Sequence, residues 1–397
     1  MKQQVDVLIN GGGMVGLAFA ALLPEELSIG IVELNPGSSI TQLDEQIDHR
    51  VSALSRQSEE MLKRIGCWKK IPSTRLSAYQ RMEVWEHNGT SKLTFTAQEL
   101  ATQNLGHIVE NSVIRAALMD RLAEQSNITW MNCPMVAIES DSDLICATFE
   151  DNRQCYAKLL VGADGVHSKV RELAGIAVDQ KNYFQQALVA TIATEKSHQF
   201  TAWQRFLETG PIAYLPLVDE KLSSIVWSLQ EDKAADVLSL SKEQQQSLIA
   251  NALGYELGAI ELQSELQSFP LVARHAETYI KDRVALIGDA AHSIHPLAGQ
   301  GVNLGFKDAE QLAQRVSLAA KTSIDKVGAF AMLRRYERAR KADNHMTQKA
   351  MTALNWIYSQ PSLPMTMIRN LGVSLLQQSP SIKRRLAKQA MGLSAIG

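Results

Sequence analysis

The opening stretch Val5-Asp6-Val7-Leu8-Ile9-Asn10-Gly11-Gly12-Gly13-Met14-Val15-Gly16 constrains this chain more than any other. A short apolar strand runs into Gly11-x-Gly13-x-x-Gly16, and a helix of small and apolar residues is predicted over Met14 to Leu23. A second strand, Ser28 to Glu33, completes a compact βαβ unit. Each glycine has its own reason. Gly11 permits the tight turn, Gly13 lets the backbone approach a pyrophosphate, and Gly16 allows close packing of helix on strand. Glu33 ends the second strand 22 residues after Gly11, where a carboxylate can take both hydroxyls of a ribose. It favours an unphosphorylated ribose, hence FAD or NAD over NADP. Asn10 is polar where such strands stay apolar, and its side chain is expected only to hydrogen-bond the loop.

Two further glycine-rich turns follow strand-like segments. Lys158 to Val161 leads into Gly162-Ala163-Asp164-Gly165, continued by His167, Ser168 and Arg171. Asp164 is read either as a ligand-facing carboxylate or as part of a β-turn with a helix cap. The apolar run Val284 to Ile287 leads into Gly288-Asp289 and on through Pro296, Gly299, Gln300 and Gly301 to a helix from Val302 to Val316. Asp289 sits at a strand end, Pro296 fixes a turn, and Gly299 to Gly301 expose N–H groups at a helix start. That positive helix end favours an anionic ligand. His292 and His295 read as structural, since the sequence suggests no carboxylate partner for them. The three turns together point to one large anionic cofactor gripped from more than one side.

The nucleotide-type elements recur at both ends and in the middle of the chain. This predicts an α/β protein with a discontinuous Rossmann-like domain over residues 1–75, 105–175 and 270–345. A β-rich domain over 76–104 and 176–269 is inserted into it, and 346–397 form a C-terminal helical segment. Within the insert, Met82 to Phe95 reads as a hairpin turning at Asn88-Gly89. Ala187 to Leu229 reads as an antiparallel sheet, and Leu240 to Leu253 as a helix. Trp203, Phe206, Tyr214 and Trp227 are expected to give this sheet an apolar, aromatic substrate wall, with Arg205 the nearby cation. The formal net charge of −2 gives no reason to expect nucleic acid. Cys67, Cys133, Cys146 and Cys155 show no metal-ligand spacing, so no metal is expected. With no signal peptide they read as reduced cytosolic thiols. No apolar run reaches the roughly 18 residues of a membrane span. From Ala331 to Gly397 there are 11 Lys/Arg against 2 Asp/Glu, so a basic C-terminal segment could meet an anionic membrane or pack as a solvated helix face.

The three motifs in this order resemble the flavoprotein aromatic hydroxylases of the para-hydroxybenzoate hydroxylase fold, over nearly the whole chain. The wording HPLAGQGVNLGFKDA, with RMEVWEHNG, LGHIVENSVI and LRRYERARK, is similar to the ubiquinone-biosynthesis hydroxylases within that family. The resemblance implies FAD held by Gly11, Gly13, Gly16, Glu33, Asp164, Asp289, Gly301, Val302 and Asn303. Arg50 matches an early arginine reaching the flavin side, and Arg115 is a similar match. It implies a reaction in which FAD, reduced by NAD(P)H or another reductase, activates O₂ as a flavin hydroperoxide that hydroxylates a polyprenylated phenol. Backbone groups of Pro296, Gly299, Gln300 and Gly301 would stabilise it, and no side chain is identified as a catalytic base. The branch most resembled adds the first ring hydroxyl to a 2-polyprenylphenol. A branch acting on demethoxyubiquinol and a non-catalytic subunit holding FAD or lipid are the alternatives. The resemblance also implies contact with other ubiquinone-synthesis proteins. The thiols and the missing signal peptide point to a cytoplasmic location, and the basic segment to peripheral contact at the inner face of the membrane.

Overall fold

The computed structural model describes residues 2–35, 37–44, 47–87, 92–141, 143–293, 301–358, 377 and 379–391. Five parallel strands lie side by side in the order Ile128–Met131, Ile29–Val32, Lys2–Asn10, Gln154–Gly162 and Val284–Leu286. They are apolar almost throughout because both sheet faces are covered; Val7, Leu8, Ile9, Leu159, Leu160 and Val161 are all fully buried. An antiparallel meander, Met135–Ser140 and Ile145–Phe149, pairs with the first half of Gln154–Gly162. The register sets Asn10 beside both Gly162 and Val32, and Gly162 beside Leu286. The three glycine-rich turns therefore leave the sheet at one edge, at the carboxyl ends of its strands, where open α/β sheets bind ligands.

Helix Met14–Leu22 packs against both Asn111–Leu122 and Gly301–Thr322. The approach to the last is close because Val15 fits between two glycines. A Cβ on Gly288 would lie 3.3 Å from Val15, and one on Gly305 only 2.6 Å. The first and third motifs are thus in direct contact.

A nine-stranded sheet forms the second layer. Its main path runs His292–Ser293, Gln267–Ala276, Val178–Thr194, Leu222–Gln230, Gly210–Pro216, Thr201–Leu207, Arg81–Glu86 and Lys92–Thr96, with Ile260–Leu262 beside Val178–Thr194. One pairing departs from the antiparallel expectation: Thr201–Leu207 runs parallel to Arg81–Glu86. Those strands come from distant parts of the chain, so no hairpin fixes their direction. Strand Gln267–Ala276 runs through the expected domain boundary at residue 270 and pairs with His292–Ser293. Helices Glu231–Leu238 and Lys242–Ala252 cover one face of the sheet. The helix predicted over Leu240 to Leu253 is the second of these, and the sequence patterning does not predict Glu231–Leu238. Ser241 starts the second, its hydroxyl accepting from Gln244 N in a capping box. The predicted hairpin turn Asn88-Gly89 lies outside the described residues.

Between the layers sits a three-stranded sheet, Val51–Leu54, Gly106–Glu110 and Leu76–Tyr79, which the sequence patterning does not predict. Ala53 and Ile108 from it pack against Leu215 and Leu217 of the larger sheet. Helix Phe330–Tyr358 follows Gly301–Thr322, and a last helix, Pro380–Ala390, docks on the chain itself. Ala387 and Met391 pack on Ala97, Leu100 and Leu105, and Lys383 Nζ lies 2.9 Å from both carboxylate oxygens of Glu99.

The helical segment is fastened by a buried charge cluster around Asp308. Its carboxylate accepts from Gly288 N at 3.0 Å, pairs with His292 Nε2 at 2.5 Å, and receives Arg340 Nε at 2.7 Å and Asn344 Nδ2 at 3.1 Å. Burial alone would raise the Asp308 pKa, but His292 and Arg340 outweigh it and hold the carboxyl at about 2. Glu59 is also held at about 2, against the upward push of burial, by His107, Lys63 and Arg56. Both folded values lie below the ordinary carboxylate range near ~4. Their contribution is therefore complete above about pH 4 and lost as pH falls toward about 2. Asp308→Ala should cost about 3 kcal/mol by leaving Arg340 Nε and His292 buried without their carboxylate, Arg340 keeping only the half-exposed Asp343, and should flatten the acid limb of stability. Urea denaturation from neutral pH down to pH 3 measures both; an unchanged midpoint and slope would refute the assignment.

Candidate active site

At the nucleotide end the glycines divide by what constrains them. Gly11 has φ +114°, and a Cβ there would meet Ala163 O at 2.4 Å. A Cβ on Gly16 would meet Gly11 O at 2.1 Å. A Cβ on Gly13 meets nothing within 4 Å, and Gly13 is exposed as the N-cap of helix Met14–Leu22 with no side-chain cap. The first-turn N–H groups of that helix therefore face open space, as an anion site requires. Glu33 stands beside them. Its carboxylate accepts from Gly12 N and Asn35 N, each at 2.8 Å, which leaves further lone pairs free. Arg115 ties the same two loops, donating to Gly12 O and Asn35 O at 2.8 Å, and lies 3.5 Å from Glu33. Arg115 thus belongs to the nucleotide end of the cleft.

The second motif is largely consumed by the fold. Asp164 accepts from Asn10 Nδ2 at 2.8 Å, Ser168 Oγ at 2.5 Å, Lys169 N at 2.7 Å and Val170 N at 3.1 Å. Its carboxylate joins the first strand to the start of helix Lys169–Leu173, as the turn-and-cap reading has it, and Asn10 bonds the loop. Arg171 is buried and donates to Ala290 O and Val166 O, each at 2.8 Å, fastening the second motif to the third.

On the third side, Asp289 opens to the cleft yet is surrounded by protein. The loss of bulk solvation raises its pKa, while His292 and Arg50 pull it down. Arg50 is exposed, and its guanidinium lies 5.4 Å from the Phe269 ring centroid, so it bridges toward the nine-stranded sheet. Asn303 is buried, and three of its four side-chain hydrogen-bonding positions are taken. It accepts from Ser55 N at 2.9 Å and Ser58 Oγ at 2.7 Å, and donates to Ala53 O at 2.8 Å. Its backbone is left to face a ligand, beside Gly301 and Val302 at the start of helix Gly301–Thr322. His292 has the carboxylate partner that the sequence did not suggest, Asp308. His295, Pro296, Gly299 and Gln300 lie outside the described residues.

The expected substrate wall needs correction. Trp203 pairs in register with Tyr214, and Ile212 with Trp227. Tyr214 and Trp227 are buried in the core beneath helices Glu231–Leu238 and Lys242–Ala252, with Trp203 packed against it. Tyr214 Oη donates to Ile249 O at 2.9 Å, which holds it there. Strand alternation puts the neighbours Gln204, Ala213 and Val226 on the opposite face. That face meets the cofactor side: Leu215 and Val226 pack with Ala53 and Ile108, and Ser224 Oγ donates to His49 O at 3.4 Å. Of the four aromatics, Phe206 alone shares it, paired with Pro211. Arg205 is also turned away and donates to Asn251 O and Ala252 O at 3.3 and 3.2 Å. Its place on the helix side follows from the parity of Trp203, a signal already present in the sequence.

The open Gly13 turn, the uncapped helix start, Glu33 and Asp289 line one edge of the parallel sheet and suit FAD: a pyrophosphate, a ribose and a polyol chain find an N–H cradle and carboxylates in sequence. Comparison with known proteins agrees. The family described as FAD binding domain matches residues 4–349. The 3-demethoxyubiquinol 3-hydroxylase of Escherichia coli is 35% identical over 396 residues, covering 99% of this chain and all of its own. The human mitochondrial ubiquinone biosynthesis monooxygenase COQ6 is 34% identical, covering 96% of this chain and 91% of its own. Among solved structures, p-nitrophenol 4-monooxygenase PnpA from Pseudomonas putida superposes with a TM-score of 0.77 at 18% identity, covering 98% of each chain, which shows the shared fold.

The glycine geometry predicts two different failures. Gly13→Val should leave the flavin-free protein folded, with its melting temperature nearly unchanged, and abolish flavin retention. Gly16→Val should unfold the domain itself. Thermal melts of flavin-stripped protein, alongside flavin absorbance after purification, separate the two; a Gly13→Val protein that keeps its flavin would sink the cradle assignment.

Proposed function

The chain belongs to the FAD-dependent ubiquinone-biosynthesis hydroxylases, which are monooxygenases, and from this we propose that it hydroxylates the ring of a polyprenylated phenol. Bound FAD, reduced by an electron donor, supplies the activated oxygen from O₂. The residues of the chain bind and orient. The Gly11–Gly13 turn and the helix start behind it take the pyrophosphate, and Glu33 takes the ribose. Asp289 takes the ribityl hydroxyls, and the start of helix Gly301–Thr322 takes the negative charge of the reduced ring. Arg50 reaches the flavin side from the small sheet. The larger sheet excludes water from above.

One observation carries the substrate class. On the cofactor-facing side of the nine-stranded sheet, the row Val84, Gln204, Ala213, Val226 and Val189 holds no lysine or arginine. Neither do the flanking rows Ala202–Leu215–Ser224 and Phe206–Pro211–Ser228. A ring carboxylate would need a cation rooted in this surface; Arg205 faces the helices instead, and Arg50, which reaches Phe269 at the end of the last row, comes from the small sheet on the flavin side. The surface suits a ring without a carboxylate, as a 2-polyprenylphenol is. A second reading, 3-demethoxyubiquinol as the substrate, is favoured by the full-length similarity to the Escherichia coli enzyme of that name. Deleting the gene and profiling quinone intermediates by mass spectrometry tests both. Accumulated polyprenylphenol supports the first and accumulated demethoxyubiquinone the second. An unchanged profile would count against any role in the pathway.

A long-tailed prenylphenol resides in a bilayer, and among the described residues no helix is long and apolar enough to cross one. We assign membrane approach to helix Pro380–Ala390, where Arg384, Arg385 and Lys388 are exposed beside Ile382, while Lys383 is spent on Glu99. Replacing the three exposed basic residues by alanine should weaken binding to anionic vesicles by about 1 kcal/mol each. Co-sedimentation measures it, and equal binding by the triple variant would remove the helix from the proposal.

A further inference from the structure

Gln204 is the one polar member of the row Val84, Gln204, Ala213, Val226 and Val189. It is only 6% exposed and its amide makes no hydrogen bond among the described residues, and its polar atoms are not sealed from solvent. Its chain neighbours fix the direction it points. Trp203 stands edge-on to Trp85 with ring centroids 6.0 Å apart, and Arg205 caps helix Lys242–Ala252. Both lie on the helix side, so Gln204 faces the cofactor side, where Leu215 and Val226 meet Ala53 and Ile108.

An amide carries two donors and an acceptor, and in an apolar row only water or a ligand can take them. Methionine or leucine would cover the same apolar surface without presenting polar atoms there. Packing therefore does not account for glutamine at this position, whereas a ligand oxygen would. We propose that Gln204 hydrogen-bonds the ring oxygen of the phenolic substrate and so fixes the rotation of the ring, which decides the carbon presented to the flavin. The proposal rests on the function proposed above and names its specificity-determining residue. Within this row Val84, Ala213 and Val226 offer the ring only non-directional contact, so Gln204 is the row's directional contact. A neutral amide also matches a neutral phenol, since neither group brings an unpaired charge into the site. Sites built to bond a hydroxyl discriminate strongly against the analogue that lacks it.

The test is calorimetric titration of the FAD-loaded protein with ortho-prenylphenol and with prenylbenzene, which lacks only the hydroxyl. Wild type should prefer the phenol by about tenfold, the worth of one hydrogen bond of ordinary strength. Gln204→Met and Gln204→Leu should lose that preference while keeping their flavin and their affinity for prenylbenzene. Two variants guard against misfolding of either one. A wild-type preference that survives in the flavin-loaded variants overturns the role of Gln204 and leaves the proposed function standing. A wild-type protein that binds neither compound, or both equally, overturns the proposal together with the substrate class beneath it.

Discussion

The parallel register that places Asn10, Gly162 and Leu286 side by side supports everything at the candidate site. The residues following them begin three turns that are far apart in sequence and adjacent in space. Side chains then lock the turns together: Asn10 to Asp164, Arg171 to Ala290 O, and Gly288 N to Asp308. A slip of one residue would move a turn by about 3.3 Å and reverse every side chain on that strand. The uninterrupted burial of Val7 to Ile9 and Leu159 to Val161 makes such a slip costly. The precision of the cofactor edge is thus inherited from the hydrophobic core beneath it.

The parts legible in the sequence are those with strong local signals. The βαβ start, the strands before each glycine-rich turn and the long C-terminal helices all follow from apolar runs and period. The three-stranded sheet was not legible, because Val51–Leu54, Leu76–Tyr79 and Gly106–Glu110 are each four or five residues long and pair only through tertiary contacts. The cluster around Asp308 was hidden for a similar reason. His292 and Asp308 are 16 residues apart, and Arg340 a further 32, so no local spacing announces them. The sequence showed a histidine without a partner, and the fold brings the partner from a helix.

The substrate wall illustrates a different limit. Aromatic content marks where a sheet is thickly packed and does not say which side the packing serves. Trp203, Tyr214 and Trp227 share one face and are buried against helices Glu231–Leu238 and Lys242–Ala252, which the inserted domain needs for a core of its own. The smaller residues of the opposite parity, Ala202, Ala213 and Val226, are left for the cofactor side. That assignment is physically reasonable. Bulky side chains there would fill the space that a flat cofactor and a ring must share, whereas small ones leave it open.

The distinction that best separates scaffold from site is whether a group is already satisfied. Asp164, Arg171 and Asn303 all sit within the motifs, and each has its hydrogen bonds taken by the chain. Gly11 and Gly16 are required by contacts within the chain in the same sense. Conserving the fold accounts for them without a ligand. Gly13, Asp289 and Gln204 are different: one has free space where a side chain would go, one opens to the cleft, and one is an amide in an apolar row with no hydrogen bond among the described residues. Each is a vacancy or an open polar group that folding alone does not use. They lie on separate walls, the first helix, the last parallel strand and the inserted sheet. A ligand set spanning all three must join an anionic nucleotide, a polyol and an oxygen-bearing ring, and FAD with a phenol beside it is the pairing that does so.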